Sequence, residues 1–328
     1  MALGREEPAP FLYFARFHLY LRVLTPMELP PYKGAVFRGA FGSILRRLVC
    51  VTRQSDCRPC LLRERCLYIA LFDPPPPPGF LESRKFQKAP RPYVLTPPLT
   101  PRRSFRTGET LDFDLVLLGP AIEALPYFIH IFMEMGRQGL GQRRLGREWG
   151  KYELIQVDFV KNGSARPIYE KSTRTLTNFA PESGPVYLPE DEQATSLTLD
   201  FLTPLRLKRK GDLVTSLSFP FFFECLARRL SVLAAFYGDA CQLVDFSSLA
   251  AAADEVQVTH SRLRWFDWER YSRRQQAEMK FGGLTGRVRL AGKLGPLLPI
   301  LRLGSQVNAG EKTTFGLGRY EISGLSSV

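Results

Sequence analysis

Two halves of the chain carry the same succession of short motifs, and this repeat constrains the fold more than any other feature. Leu24-Thr25-Pro26 precedes a helical stretch that contains Leu45-Arg46-Arg47-Leu48. In the same order, Leu202-Thr203-Pro204 precedes a helical stretch that contains Ala227-Arg228-Arg229-Leu230. A repeated order of motifs indicates two copies of one structural unit.

The repeat extends to the end of each half. A Leu-Pro pair, at Leu125 and at Leu298, begins a second helix, and a Gly-rich run follows it. A short strand that starts with Tyr-Glu closes each half, at Tyr152 and at Tyr320. The order strand, helix, strands, helix, Gly-rich loop, strand is that of a ferredoxin-like unit. We therefore predict an α+β fold of tandem ferredoxin-like (RRM-like) domains with Gly-rich loops and a Cys-rich insertion.

Hydrophobic periodicity places the elements and the domain boundaries. Alternating apolar residues predict a strand over 11–23, whose polar face carries Arg16, His18, Tyr20 and Arg22. Helices are also predicted over 35–49, 121–135 and 219–237, and strands over 111–117, 197–202, 288–290 and 315–322. The domains are predicted at 1–162, with an insertion over 50–100 that is rich in cysteine and proline, and at 196–328, with a linker over 163–195.

The charge balance indicates a polyanionic partner. The chain has 45 Lys and Arg against 32 Asp and Glu, a formal net charge of +13. Binding to phosphates releases their counterions, which makes nucleic acid the favoured partner. A membrane surface is the other polyanion, but no apolar run reaches the ~18 residues that a spanning helix needs. The acidic start, with Glu6 and Glu7, does not resemble a signal peptide, so we predict a cytoplasmic protein.

Aromatic residues and arginines are interleaved in the segment 261–276. Side chains such as Trp265 and Tyr271 beside arginines suit base stacking together with phosphate contacts. The candidate RNA-binding residues of this segment are Arg270, Arg273 and Arg274. The alternative interpretation is a helix with buried tryptophans and solvated arginines.

Four of the six cysteines lie close together in the sequence, at Cys50, Cys57, Cys60 and Cys66. The C-x-x-C pair in this set can offer two thiolates to one tetrahedral metal ion. Disulfides are not expected in a cytoplasmic chain. We predict a structural zinc site that stabilises an insertion without a core of its own. An iron–sulfur cluster and four uncoordinated cysteines stay open as alternatives.

Three groups of motifs carry a resemblance to a known family. They are Leu29-Pro30-Pro31-Tyr32-Lys33-Gly34 with Phe37-Arg38-Gly39-Ala40-Phe41-Gly42, then Asp267-Trp268-Glu269-Arg270-Tyr271-Ser272, and then Thr313-Thr314-Phe315-Gly316-Leu317-Gly318-Arg319-Tyr320. In these motifs the chain resembles the CRISPR pre-crRNA processing endoribonucleases of the RAMP superfamily, and the match covers most of its length.

The resemblance implies an activity and a partner. It implies that the protein binds the repeat in a CRISPR transcript and cuts it once by attack of a ribose 2′-hydroxyl on the adjacent phosphate, without a metal ion. Such a reaction needs a base, an acid and a cation at the phosphate. CRISPR repeat RNA or crRNA is the implied partner, together with other CRISPR effector subunits. The candidate RNA-binding residues are Arg38, Arg46, Arg47, Gly310, Thr313, Thr314, Gly316 and Gly318.

The chain departs from the family pattern at the catalytic positions. Family members often have a His at the start of the first helix or beside the last Gly-rich loop, where this chain has Ser43 and Asn308. The candidate catalytic residues are therefore Lys33, His18, Tyr271 and Lys312. Two alternatives stay open: a catalytically inactive crRNA-binding subunit of a CRISPR effector complex, and a zinc-stabilised basic protein that binds DNA or protein.

Overall fold

Two antiparallel sheets, each covered by helices, form the frame of the molecule. The computed structural model describes residues 12–76, 89–141, 149–184, 193–238, 247–267, 269–272 and 277–327. No helix in these ranges is both long enough and apolar enough to cross a membrane.

The first unit has a central strand that the sequence defines well. Its elements are β1 (Leu12–Val23), β2 (Met27–Glu28), α1 (Gly34–Val49), α2 (Leu67–Phe72), β3 (Tyr93–Thr96), β4 (Ser104–Phe105), β5 (Thr110–Leu118), α3 (Leu125–Gln138), β6 (Tyr152–Lys161), β7 (Ser164–Glu170) and β8 (Glu182–Gly184). The strand order β3-β5-β1-β6-β7 places β1 between β5 and β6, and β8 pairs with the start of β1. The strands β3, β5, β1 and β6 with helices α1 and α3 make the predicted ferredoxin-like unit.

The second unit repeats this arrangement. Its elements are β9 (Ala194–Leu205), β10 (Lys208–Arg209), β11 (Asp212–Leu213), α4 (Phe219–Tyr237), α5 (Ser247–Asp254), β12 (Gln257–Phe266), β13 (Glu269–Ser272), β14 (Ala277–Lys280), β15 (Gly283–Ala291), α6 (Leu298–Val307) and β16 (Tyr320–Ser327). The strand order β12-β15-β9-β16 again places the first strand of the unit between the third and the fourth. The duplication read from the sequence is therefore a duplication of topology.

Strand β1 contributes to both hydrophobic cores. Phe17 and Leu19 are fully buried in the core of the first unit, as the alternation predicts. On the opposite face, Leu12 and Phe14 are also buried, and they belong to the core of the second unit. The second unit therefore covers one end of this face, and the polar residues from Arg16 onward lie beyond that apolar contact.

Two sequence predictions differ from the structure in the connecting segments. The range 163–195, predicted as a linker, begins with β7, which forms a hairpin with β6. It was missed because β7 is an exposed edge strand with few apolar residues, an edge position that also accommodates Pro167. The strand predicted over 315–322 begins only at Tyr320, since Lys312, Gly316 and Gly318 have positive φ angles that an extended strand does not adopt.

The segment of interleaved aromatics and arginines forms strands. Residues up to Phe266 belong to β12, and Glu269–Ser272 forms β13, which pairs with β14. The alternative of a helix with buried tryptophans is wrong for these residues, because Trp265 lies on an edge strand with 38% of its surface exposed.

The Gly-rich loop between α6 and β16 packs tightly against its surroundings. The Gly318 nitrogen donates to the Pro204 carbonyl at 3.0 Å, and the Gly318 carbonyl accepts from Ala309 N at 2.8 Å. A Cβ at Gly318 would overlap the Ala309 carbonyl. At Gly316, a Cβ would collide with the Pro97 ring, on the loop that follows β3. Glycine is therefore required here for close backbone packing as well as for its positive φ.

We expect Gly318→Ala to lower the free energy of unfolding by about 4 kcal/mol or more, because the methyl group displaces backbone and not a flexible side chain. Gly108→Ala is the matched control: Gly108 also has a positive φ, of 87°, but a Cβ there meets nothing within 4 Å. The control should lose only about 1–2 kcal/mol, the cost of the backbone conformation. Urea unfolding measures both, and equal losses would show that packing of the loop contributes nothing.

Candidate nucleic-acid interface

An arginine-rich groove runs along the exposed side of α1. The groove has a volume of about 1230 Å³. Its cationic lining residues are Arg38, Arg46, Arg47 and Arg53. Among the described residues that line it, none is Asp or Glu, while Tyr68 and Trp149 contribute aromatic rings. Cations beside stacking surfaces make a chemistry suited to single-stranded nucleic acid.

Helix α1 presents these arginines because its apolar positions recur with the helical period. Phe37, Phe41 and Leu45 are fully buried in the first core, which directs the remaining faces of the helix outward. Arg46 and Arg47 lie in the last turn, where a cation interacts favourably with the helix dipole. The three arginines predicted from the sequence on this helix therefore do line one surface.

Aromatic contacts fix the first of these arginines. The Arg38 guanidinium lies 4.5 Å from the centre of the Phe72 ring and 5.1 Å from that of Phe315. Cation–π contacts of this kind hold the planar group in place. Because Phe315 belongs to the Gly-rich loop, Arg38 joins the groove of the first unit to a loop of the second.

Arg46 is held differently. Its Nη2 donates to the carbonyls of Gln54 at 2.5 Å and Ser55 at 2.8 Å, and the guanidinium lies 5.8 Å from the centre of the Tyr68 ring. Arg46 therefore ties the groove wall to the cysteine-containing segment. Arg47 is exposed on the same helix turn.

A partly buried arginine that the sequence analysis did not single out organises the Gly-rich loop. Arg229 on α4 donates to the carbonyls of Asn308 at 2.9 Å and Val307 at 3.0 Å, and to the Thr313 hydroxyl at 3.1 Å. Burial lowers the pKa of Arg229 to about 10, which leaves it cationic at neutral pH. The Arg-Arg pair repeated in both halves was the signal that could have identified it.

The Gly-rich loop residues predicted to bind RNA have internal contacts. Thr313 and Thr314 are buried, and Gly310, Gly316 and Gly318 approach neighbouring backbone or Pro97 closely. The Asn308 side-chain amide is buried as well and donates to the Leu317 carbonyl at 3.1 Å. Packing accounts for all of these positions, and their contact with RNA stays a prediction.

Lys33 is fully buried at the start of α1. Its Nζ donates to the carbonyls of Thr100 at 2.6 Å and Pro31 at 3.1 Å. Desolvation lowers the pKa of Lys33 to about 8. These contacts hold the loop before β4 against α1, and they leave the ammonium without access to the groove in this conformation.

Lys312 is an exposed member of the candidate catalytic set. It lies just before the turn Thr313–Phe315, and its Nζ lies 5.9 Å from the centre of the Phe281 ring. Desolvation, reinforced by cations that include Arg206, lowers its pKa. Phe281 contacts Phe315 at 5.2 Å between ring centroids, and Phe315 contacts Arg38. The rings of Phe281 and Phe315 thus connect Lys312 to Arg38 of the groove, although Lys312 is not itself a lining residue.

His18 lies in a polar cluster between the two units. Its Nδ1 lies 2.7 Å from Asp114 Oδ1, and its Nε2 lies 3.4 Å from Asp112 Oδ2. Arg16 also contacts Asp114, at 3.6 Å, and Arg319 of the second unit forms an ion pair with the same carboxylate. We call Arg16, His18, Asp114 and Arg319 the interdomain cluster.

The interdomain cluster fixes the charges of its members. The hydrogen bond to Asp114, together with nearby carboxylates, raises the pKa of His18 in spite of partial burial. Burial alone would raise the pKa of Asp114, but the bond with His18 and the charges of Arg319 and Arg16 outweigh it and hold this pKa below its usual range. His18 is thereby favoured as a cation, a state that can donate a proton but cannot accept one.

The structure does not bring His18 to the groove. The neighbours of His18 on β1, Phe17 and Leu19, point into the core that α1 covers. Successive side chains of a strand point to opposite faces, so His18 and α1 lie on opposite sides of the sheet. Arg270 and Tyr271 lie on β13, whereas Arg273 and Arg274 lie outside the described residues.

Two family models together match most of the chain. Residues 11–181 match a model described as an N-terminal domain, AF_1859_N. Residues 199–320 match the model of the CRISPR-associated endoribonuclease Cas6. The resemblance to RAMP-type repeat-processing endoribonucleases is therefore confirmed.

Individual relatives extend the similarity to nearly the whole chain. An uncharacterized protein of Archaeoglobus fulgidus is 27% identical over 314 residues, which are 95% of either chain. A solved Cas6 product complex has a TM-score of 0.55 at 18% identity and covers 94% of this chain and 100% of that one. A partial Cas6-RT-Cas1–Cas2 complex has a TM-score of 0.55 at 15% identity and covers 97% of this chain, which spans 47% of that chain's length. At these identities the two structures show a shared Cas6 fold.

Within this Cas6 fold, the two positions at which the sequence lacks the expected histidines have different surroundings. Ser43 is exposed and lines the groove. Asn308 is 3% exposed, and its side-chain amide is hydrogen-bonded to the Leu317 carbonyl of the Gly-rich loop. Of the two, only Ser43 is placed to meet a ligand in the groove.

The four cysteines of the insertion line a second, smaller cavity of about 260 Å³. Within the described ranges, no three Cys, His, Asp or Glu side chains are arranged so that they could hold a metal ion. The zinc site thus stays a prediction.

We expect the interdomain cluster to make stability depend on pH. The pKa of His18 is raised by folding, so its contribution is complete below the unfolded value near 6.5 and is lost as pH rises through the folded pKa. His18→Gln should remove this loss and cost about 1–2 kcal/mol at pH 6, the usual value of a charged hydrogen bond. Thermal unfolding between pH 5.5 and pH 8.5 measures it.

His130→Gln is the control for this experiment, because His130 is exposed on α3. Its pH profile should follow that of the unmodified protein. A His18→Gln profile that also follows the unmodified protein would show that the ion pair with Asp114 adds no stability.

Proposed function

We propose that the protein binds CRISPR repeat RNA along the groove beside α1 and cleaves it once by attack of a ribose 2′-hydroxyl. The groove itself carries the proposal: four arginines and the aromatic rings of Tyr68, Phe72 and Trp149 line it, and no carboxylate does among its described residues. Such a surface attracts phosphates through counterion release and offers faces on which bases stack. The match of residues 199–320 to the Cas6 endoribonuclease model supports RNA as the ligand.

The proposed reaction needs little from the protein beyond placement and charge. A base removes the 2′-hydroxyl proton, the 2′-oxygen bonds to phosphorus, and the bond to the 5′-oxygen breaks. The leaving 5′-oxygen takes up a proton, so the products are a 2′,3′-cyclic phosphate and a 5′-hydroxyl. A cation at the phosphate stabilises the charge that develops in this step.

Lys312 is our candidate for that cation. It is exposed and is connected to Arg38 of the groove through two aromatic rings, whereas Lys33 is enclosed and His18 lies across the sheet. Its lowered pKa also makes proton transfer easier near neutral pH. Ser43 lines the groove, but a hydroxyl is not a base at neutral pH without an activating partner.

A second candidate function is binding of crRNA without cleavage. The observation that favours it is the absence of an imidazole from the described lining of the groove, where Ser43 takes the expected place. Incubation of the protein with its repeat RNA in EDTA, followed by a denaturing gel, separates the two functions. A single cut with a cyclic phosphate end supports cleavage without a metal ion, and intact but tightly bound RNA supports the binding subunit.

We expect Arg47→Ala to weaken repeat RNA binding about 3- to 10-fold and to reduce the salt dependence of log Kd by about one unit of slope, because one phosphate contact is lost. Filter binding at several salt concentrations measures both quantities. Arg174→Ala removes the same charge from an exposed loop after β7 and should change neither. Equal behaviour of the two variants would place the RNA outside the groove.

We expect Lys312→Ala to slow cleavage about 100-fold or more while the Kd changes less than about 5-fold, since a charge at the reacting phosphate acts mainly in the transition state. Single-turnover cleavage and filter binding are the paired measurements. Lys293→Ala, a charge change at an exposed lysine after β15, is the control. Equal losses of rate and affinity for Lys312→Ala would mean that Lys312 only binds.

A further inference from the structure

The segment from Cys50 to Cys66 has no apolar interior. None of its seventeen residues is buried, and its apolar side chains point outward, with Val51 80% and Leu61 85% exposed. The residues that are partly shielded in this segment are Cys50, Thr52, Cys57, Cys60, Arg63 and Cys66. The side chains that face inward are thus mainly thiols, which cannot stabilise a loop of this length by hydrophobic burial.

The backbone nevertheless brings the four cysteines around one space. Cys60 N donates to Cys57 O at 3.4 Å, Arg63 N to Cys60 O at 3.0 Å, and Cys66 N to Arg63 O at 3.4 Å, so successive tight turns join three of the cysteines. The fourth, Cys50, caps the end of α1.

A side-chain contact connects the two parts of the segment. The Thr52 hydroxyl, two residues beyond Cys50, lies 3.6 Å from Cys60 Sγ. All four cysteines line the same cavity of about 260 Å³. The thiols do not converge on one point in this conformation, so binding of one ion requires them to rotate about their Cα–Cβ bonds, a change between ordinary rotamers.

The charges around the cavity suit a thiolate cluster. A divalent ion bound to four thiolates is negative overall, and Arg46, Arg63 and Arg65 line the cavity. Asp56 is the acidic residue among its described lining, and it is paired with Arg58 at 2.8 Å. Four sulfur donors and tetrahedral geometry select zinc over magnesium or calcium, which need oxygen ligands.

We propose that Cys50, Cys57, Cys60 and Cys66 bind one structural Zn²⁺ and that this ion shapes one wall of the groove. The second statement rests on the proposed function of the groove. Arg46 provides the link, because it lines both cavities and donates to the carbonyls of Gln54 and Ser55, between the first two ligands. The ion fixes this loop, and the loop fixes the Arg46 guanidinium beside Tyr68.

The metal content of the full-length protein, measured by inductively coupled plasma mass spectrometry after purification without added metal, tests the site directly. We expect about one zinc per chain, and none in a Cys57→Ser/Cys60→Ser double variant. Cys225→Ser is the matched control, since Cys225 is a partly buried thiol on α4, away from the cavity, and this variant should keep its zinc. Iron with visible absorption, or no stoichiometric metal, overturns the zinc assignment.

A second measurement does not depend on the folding of any variant. Unmodified protein in which cobalt replaces zinc should show the absorption bands of tetrahedral cobalt bound by thiolates. A spectrum of octahedral cobalt with oxygen ligands would overturn the assignment of the four cysteines.

The link to the groove has its own readout. We expect removal of zinc by a chelator to weaken repeat RNA binding about 3- to 10-fold. The loss of affinity should be the same in Cys225→Ser and in the unmodified protein. Unchanged RNA affinity with zinc removed would overturn the link and leave the metal site standing. Failure of both preparations to bind RNA before chelation would instead count against the proposed function.

Discussion

The close approach of the Gly-rich loop to the first unit determines how the rest of the molecule is arranged. The Phe315 carbonyl accepts a hydrogen bond from the Tyr32 hydroxyl at 2.8 Å and lies where a Cβ on Gly34 would be. On the other side, Gly316 packs against the loop after β3. Two backbone segments more than two hundred residues apart can pack this closely only where side chains are absent.

This contact explains why the conspicuous motifs of the sequence are largely internal. The glycines and threonines of the loop are used for packing, and Arg229 donates hydrogen bonds to the carbonyls of the buried residues Val307 and Asn308 at the end of α6. Buried carbonyls need such donors, since an unmade hydrogen bond costs about 1–3 kcal/mol. The loop therefore presents a rigid edge, with Lys312 on its exposed side and Phe315 supporting Arg38.

A second contact between the units is ionic. Arg319 follows the Gly-rich loop directly and pairs with Asp114 on the sheet of the first unit, where His18 and Arg16 converge. The carboxylate is shared by three cationic partners, which fits its strongly lowered pKa. On the polar face of β1, Arg16 and His18 are thus committed to the carboxylate through which Arg319 joins the two units.

The sequence by itself determined the architecture, because hydrophobic periodicity is a local property. The alternation in β1, the bounds of α4 and the repeated order of elements could all be read from neighbouring residues. Strand β7 was not predicted because an edge strand with a polar surface lacks that periodicity.

Only the tertiary structure decided which polar residues face a ligand. Lys33 donates a hydrogen bond to the Thr100 carbonyl, His18 is hydrogen-bonded to Asp114, and the Asn308 side chain donates to the Leu317 carbonyl. Each partner except the last lies dozens of residues away, and no local pattern specifies such pairs. Local sequence patterns therefore predict the fold of the chain. The exposure and hydrogen bonding of its charged groups depend on contacts between distant segments, which form only when the two units pack together.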